Sequence, residues 1–156
     1  MSPIDKIDNI DLEILRILQI DAKKTTKEVA QQLNLSTSPV YDRIKRLEKS
    51  GYIKKYVALL DKKLISRPVT AICMVSLRYH DEGFIDKFDQ QIKSLKEVQE
   101  CYHMAGKVDF FLKINLQSLE CYHEFVRLKL SKIENIGVLE SYFVLKEIFD
   151  KTDFYI

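Results

Sequence analysis

Residues 25–51 read TTKEVAQQLNLSTSPVYDRIKRLEKSG, and this stretch decides the fold of the first third of the chain. Thr25 or Thr26 can cap a short helix that buries Val29, Ala30 and Leu33. Asn34 follows where a tight turn between helices calls for a left-handed residue, which Asn tolerates better than most side chains. Ser36 is a good cap for the next helix, with Pro39 in its first turn, where a missing N–H costs nothing. That helix runs to about Ser50 and stops at Gly51.

Upstream, Ile7, Ile10, Ile14, Ile17 and Leu18 recur at helical spacing, and Asp5, Asp8 and Asp11 place negative charge early in the run, as a helix N-terminus favours. This first helix ends near Ile20, giving a bundle of three. On the third helix Val40, Ile44 and Leu47 form one apolar stripe facing the other two. At about 100° per residue, the opposite side carries Ser38, Asp42, Lys45, Arg46 and Lys49, with Tyr41 and Arg43 on the flanks. A helix held this way after a short helix and a tight turn is suited to enter a DNA major groove, its first residues at base edges and its later cations at phosphates. Thr37, Ser38 and Tyr41 are therefore candidates for base contact and Lys45, Arg46 and Lys49 for the backbone, with Arg43 on the flank also counted among the DNA-binding residues. A solvated surface helix also shows a charged face; the three-helix setting favours DNA.

Downstream, Tyr52 to Leu60 is rich in aromatic and β-branched residues and predicts a strand, with a connection over Lys62 to Pro68. The pattern then reads strand (69–79), helix (82–95), strand (98–104), strand (109–116), helix (118–133), strand (138–148). This is βαββαβ, a ferredoxin-like arrangement. Two helices cover one face of a four-stranded sheet, yet the strands are apolar at both parities: Phe110, Leu112 and Ile114 against Phe111, and Phe143 and Leu145 against Tyr142 and Val144. A second apolar face calls for a cover, and a second copy of the chain is the economical one.

The expected fold is therefore α+β: a helix-turn-helix domain over 1–52, a linker over 53–68, and a ferredoxin-like (ACT-like) oligomerisation domain over 69–156. The composition agrees. Of 156 residues, 46% are hydrophobic and 31% charged, as in an ordinary globular protein, and no apolar run reaches the roughly 18 residues of a membrane span. No targeting segment stands at the start, so the expected place is the cytoplasm, with three reduced cysteines rather than a disulfide framework. The net charge of +2 divides unevenly: residues 1–60 hold 11 Lys and Arg against 8 Asp and Glu, which puts the positive charge in the helical third.

The run IDLEILRILQ (10–19), then EVA (28–30), LS (35–36), RIKRLE (43–48), GYI (51–53) and ALLD (58–61), closely resembles the leucine-responsive regulatory protein family, the feast/famine or AsnC-type regulators. The likeness spans nearly the whole chain. It implies a sequence-specific, DNA-binding transcription regulator that forms dimers, often assembled to octamers, and binds an amino acid or related metabolite between subunits. The family's effector loop is marked by Gly-x-x-Asp and an apolar residue, matched here by Gly106-Lys107-Val108-Asp109-Phe110. Glycine lets backbone N–H groups approach a ligand carboxylate, and aspartate suits an ammonium group; the same residues also fit a plain hairpin turn. Ala105 stands where many relatives carry Thr or Ser, which removes a hydroxyl. By similarity His103, Tyr142 and Val144 border the same pocket.

No nucleophile, paired catalytic carboxylates or phosphate-cradling glycine loop stands out, so no enzyme activity and no cofactor are expected. Glu-Cys-Tyr-His occurs at 100–103 and again at 120–123, but the second pair's Cys and His point about 200° apart on a helix, which argues against a metal. Two alternatives share the fold: a DNA-compacting architectural protein, and a subunit resembling sirohaem decarboxylase.

Overall fold

The structure, a computed structural model, describes residues 7–156. The chain forms two compact units: one runs to Leu59 and takes in Phe149–Ile156, the other is Leu60–Ile148.

In the first unit α1 (Asn9–Ile20), α2 (Thr26–Gln32) and α3 (Thr37–Lys49) enclose a core of Ile14, Leu18, Val29, Ala30, Val40, Ile44 and Leu47. Local chemistry sets each boundary. Asp8 caps α1 and exchanges bonds with Asp11 in a capping box, and Thr25 does the same with Glu28 at α2. Ser36 occupies the α3 cap position but makes no side-chain bond there. Asn34 takes a φ of 54° and Gly51 a φ of 79°, so the tight turn and the helix stop have the left-handed residues their positions demand. Asp5 lies outside the described residues.

The strand expected over 52–60 does not form, and residues 55–60 make no ladder. A strand exists only beside a partner, and within the described chain none lies there. Val57 and Leu59 are left exposed. The last eight residues, expected with the second domain, lie in the first unit: Gln19 on α1 donates to the Phe154 carbonyl (2.8 Å) and accepts its N–H (2.9 Å), and Arg16 Nε donates to the Ile156 carbonyl.

The second unit is β1 (Val69–Leu77), α4 (Glu82–Lys93), β2 (Val98–His103), β3 (Phe110–Leu116), α5 (Leu119–Leu128) and β4 (Ile136–Phe143), in the antiparallel order β2-β3-β1-β4. Ala71, Cys73, Val75 and Leu77 alternate with Phe110, Leu112, Ile114 and Leu116 on one face, where Phe88 and Ile92 of α4 and Tyr122 and Phe125 of α5 cover them. Most of these elements end within two residues of the predicted position, but the second helix and the last strand fall well short. The helix expected to Ile133 closes at Leu128 and continues as a 3-10 turn, Leu130–Lys132, which drops Leu130 and Ile133 into the core. β4 stops at Phe143, whose partner on β1, its sole neighbour, is Ala71; Val144 still donates to the Thr70 carbonyl, and Leu145 beyond it is fully exposed.

The other face of the sheet has no covering element within the unit. Ile72, Met74 and Phe111 stand half-buried there, flanked by exposed Tyr102 and Tyr142.

Candidate functional site

α3 presents two chemically distinct regions. At its N-terminal end Thr37, Ser38 and Tyr41 are exposed, ahead of the buried stripe that anchors the helix. Further along, most of the cations expected to face DNA already have acidic partners. Arg43 Nη1 donates to Asp8 (2.7 Å) and Asp11 (2.8 Å), and Arg46 Nη2 donates to the other Asp11 oxygen. Lys45 pairs with Glu48 at 2.8 Å and lies over the Tyr41 ring. Lys49 has no ion-pair partner among the described residues, and neither do the exposed Lys23, Lys27, Lys54 and Lys55.

Asp11 is the pivot of this arrangement. Its side chain is 0% exposed, and it accepts from Arg43, Arg46 and the Asp8 backbone N–H. Burial alone would push its pKa up, but those three bonds outweigh it and hold the carboxyl below the usual aspartate value. The hydrogen bonds that Arg43 donates to Asp11 and Asp8 in turn hold its guanidinium above its ordinary value. Two acids and two arginines make a neutral cluster. Sequence reading took Asp8 and Asp11 as helix-terminus charges only. The signal for more was present: positions 7, 11, 14 and 18 follow the apolar spacing of α1, so Asp11 occupies a core position.

The second candidate region is the turn joining β2 to β3. Gly106 has φ 156°, and no heavy atom lies within 4 Å of where its Cβ would sit, which leaves its backbone open to close approach. Ala105 and His103 are exposed beside it, with the His103 ring stacked on Phe110. Asp109 is tied into the sheet: Oδ2 accepts the Leu77 N–H at 2.6 Å, and His80 Nε2 lies 3.1 and 3.0 Å from Oδ1 and Oδ2. Burial would raise the Asp109 pKa, yet the Leu77 bond and the neighbouring His80 and His103 bring it below the usual value. His80, on the loop after β1, escaped sequence reading because nothing in its spacing links it to Asp109.

Tyr142 and Val144 do not join this loop within one chain. Tyr142 pairs with Ile72 and Val144 donates to Thr70, whereas the loop meets the other end of β1 at Val75 and Leu77. Five residues of strand, about 16 Å at 3.3 Å each, separate the two.

The comparisons with known proteins follow this division. Residues 7–54 match the model of a winged helix-turn-helix DNA-binding domain, and residues 70–154 that of the Lrp/AsnC ligand binding domain. The chain belongs to the Lrp/AsnC family. It is similar to the Bkd operon transcriptional regulator of Pseudomonas aeruginosa, 32% identical over 92% of this chain and 94% of that one. The leucine-responsive regulatory protein of Rhizobium meliloti is 30% identical over 93% of each. Among solved structures, a Neisseria meningitidis transcriptional regulator in complex with L-Met superposes with a TM-score of 0.92 at 29% identity, covering 96% of this chain and 97% of that one. An AsnC family regulator from Agrobacterium tumefaciens gives 0.91 at 32% identity, with coverage of 96% and 97%. This Lrp/AsnC protein is accordingly a DNA-binding transcription regulator with a ligand-binding domain, and the family is one of regulators rather than enzymes. Among the described residues no helix is long and apolar enough to cross a membrane.

Proposed function

We propose that this regulator reads specific DNA sequences with the N-terminal face of α3 and responds to an amino acid held at the β2–β3 turn between subunits. Thr37, Ser38 and Tyr41 meet base edges; Lys49, with Lys45 behind it, meets phosphate. Arg43 and Arg46, tied to α1, contribute to the backbone only through donors that Asp8 and Asp11 leave free. The observation that carries the DNA reading is the exposed, uncharged start of a helix whose apolar side is fixed in a three-helix core.

For the effector, Asp109 offers a carboxylate to the ammonium group and the Gly106 backbone meets the carboxylate, with His103 and Ala105 as neighbours. Tyr142 and Val144 enter from a second copy. The uncovered, half-apolar sheet face supports a dimer, which assembles further to an octamer. L-Methionine, the ligand named for the Neisseria meningitidis structure, is the first effector to test.

The decisive experiment selects duplexes from a randomised pool with the purified protein, with and without L-methionine and the other amino acids, and measures mass by sedimentation. Enriched paired half-sites about one helical turn apart, with affinity or mass shifted by one amino acid, support the proposal. Uniform affinity for all duplexes would instead mark a compacting protein.

A further inference from the structure

Arginines on a recognition helix ordinarily supply phosphate contacts, and α3 carries two, Arg43 and Arg46. Both are held from behind by α1. Asp11, wholly buried, takes one guanidinium on each of its oxygens, and Asp8 takes Arg43 a second time. The two arginine side chains remain partly exposed, 27% for Arg43 and 39% for Arg46, so the acids restrain them without removing them from the surface.

Two consequences follow from charge and geometry. The cluster sums to zero, so the middle of α3 offers DNA far less electrostatic attraction than its sequence suggests, and sequence-independent binding is correspondingly weak. The bonds also run from two turns of α3, at positions 43 and 46, to a single carboxylate on α1, which fixes the rotation and tilt of α3. A helix so fixed delivers Thr37, Ser38 and Tyr41 to base edges in one register, which bears on discrimination between sequences. We propose that Asp11, assisted by Asp8, is a positioning residue for sequence discrimination: it withholds two arginines from the phosphates and sets the register of the reading helix. This rests on the reading of α3 as the element that enters DNA.

The test compares Asp11→Asn with the wild-type full chain on two probes, a duplex selected by the wild-type protein and an unselected duplex, over a series of salt concentrations. Asn keeps the volume and the acceptor but drops the charge. The expected result is a steeper fall of log affinity with log salt on both probes, by about 0.9 for each arginine released to a phosphate. The preference for the selected duplex shrinks at the same time. A purely structural aspartate would lower the melting temperature while leaving the salt slope and the preference of the folded protein unchanged, and that result would overturn the proposal.

Should Asp11→Asn fail to fold, Asp8→Asn decides the matter. Asn caps helices as well as Asp does, and this exposed change leaves Arg43 held by Asp11 alone and the cluster with one positive charge in excess. A slope steeper by up to about 0.9 supports the proposal, and an unchanged slope refutes it. Failure of the α3 reading is distinguishable, because then Ser38→Ala and Tyr41→Ala leave the selected-duplex affinity of the wild-type background intact.

Discussion

Replacing Asp109 by alanine separates two roles that this carboxylate combines. Its bond from the Leu77 N–H is charge-assisted, and the side chain that accepts it is only 20% exposed. Such bonds contribute about 1.5–3 kcal/mol. The His80 contact adds little, because His80 is 60% exposed and a pair so open to water is worth about 0.5 kcal/mol. Asp109→Ala is therefore expected to cost about 2 kcal/mol, with the Leu77 N–H left short of a partner. For a unit of about 90 residues this lowers the melting temperature by roughly 10 °C. Asp109→Asn, which keeps an acceptor without the charge, is expected to lose about half as much.

The depressed pKa fixes the pH dependence. An aspartate whose folded value lies below its ordinary 3.8 stabilises the fold fully above that pH and loses the contribution as pH falls through the folded value. The gap between wild type and Asp109→Ala is thus constant near neutrality and closes in acid below about pH 4. Effector binding supplies the second readout. An amino acid present at a hundred times its dissociation constant adds about 2.7 kcal/mol to the wild type, and nothing to a variant lacking the ammonium partner. Thermal melts of both proteins with and without L-methionine and leucine, at pH 7 and across the acid range, measure all of this. Equal melting temperatures together with equal ligand shifts would refute the reasoning on both counts.

Lys49→Ala is expected to reduce the salt slope of DNA binding by about one while leaving the melting temperature within about 0.5 kcal/mol of wild type, as titration by fluorescence anisotropy would read. Arg46→Ala behaves in the opposite way: it leaves the buried Asp11 with one guanidinium of two, costs the first unit about 2 kcal/mol in urea denaturation, and flattens the slope by less than Lys49→Ala does. Phe111→Glu puts a charge on the uncovered sheet face; sedimentation velocity should show smaller species with the circular dichroism spectrum retained, a loss of about 2 kcal/mol per copy. Gln19→Ala removes both bonds to Phe154, and hydrogen exchange at the Phe154 amide should accelerate by about tenfold, equivalent to about 1.4 kcal/mol.

The order of elements was legible because each rests on local chemistry. Thr25 with Glu28, Asn34 and Gly51 set the reading unit within a few residues, and the alternation of Phe110, Leu112 and Ile114 set the sheet. What escaped the sequence depends on partners distant along the chain. Residues 52–60 have strand-forming side chains but no neighbouring strand, and propensity alone does not supply one. Arg43 and Arg46 look identical to phosphate-binding arginines until Asp11 is seen across 32 and 35 residues. Asp109 suggested a ligand ammonium, while its bonds to Leu77 and His80 come from a strand and a loop that spacing does not connect to it.

The return of Phe149–Ile156 to α1 bears on how these molecules can be recombined. A chimera that swaps sensors by cutting at residue 60 would carry away eight residues of the reader. The graft would then open the apolar groove of about 890 Å³ that Leu12, Leu15, Ile53 and Val57 line together with Phe154 and Ile156. Such a hybrid would need this regulator's own final octapeptide restored behind the foreign sensor.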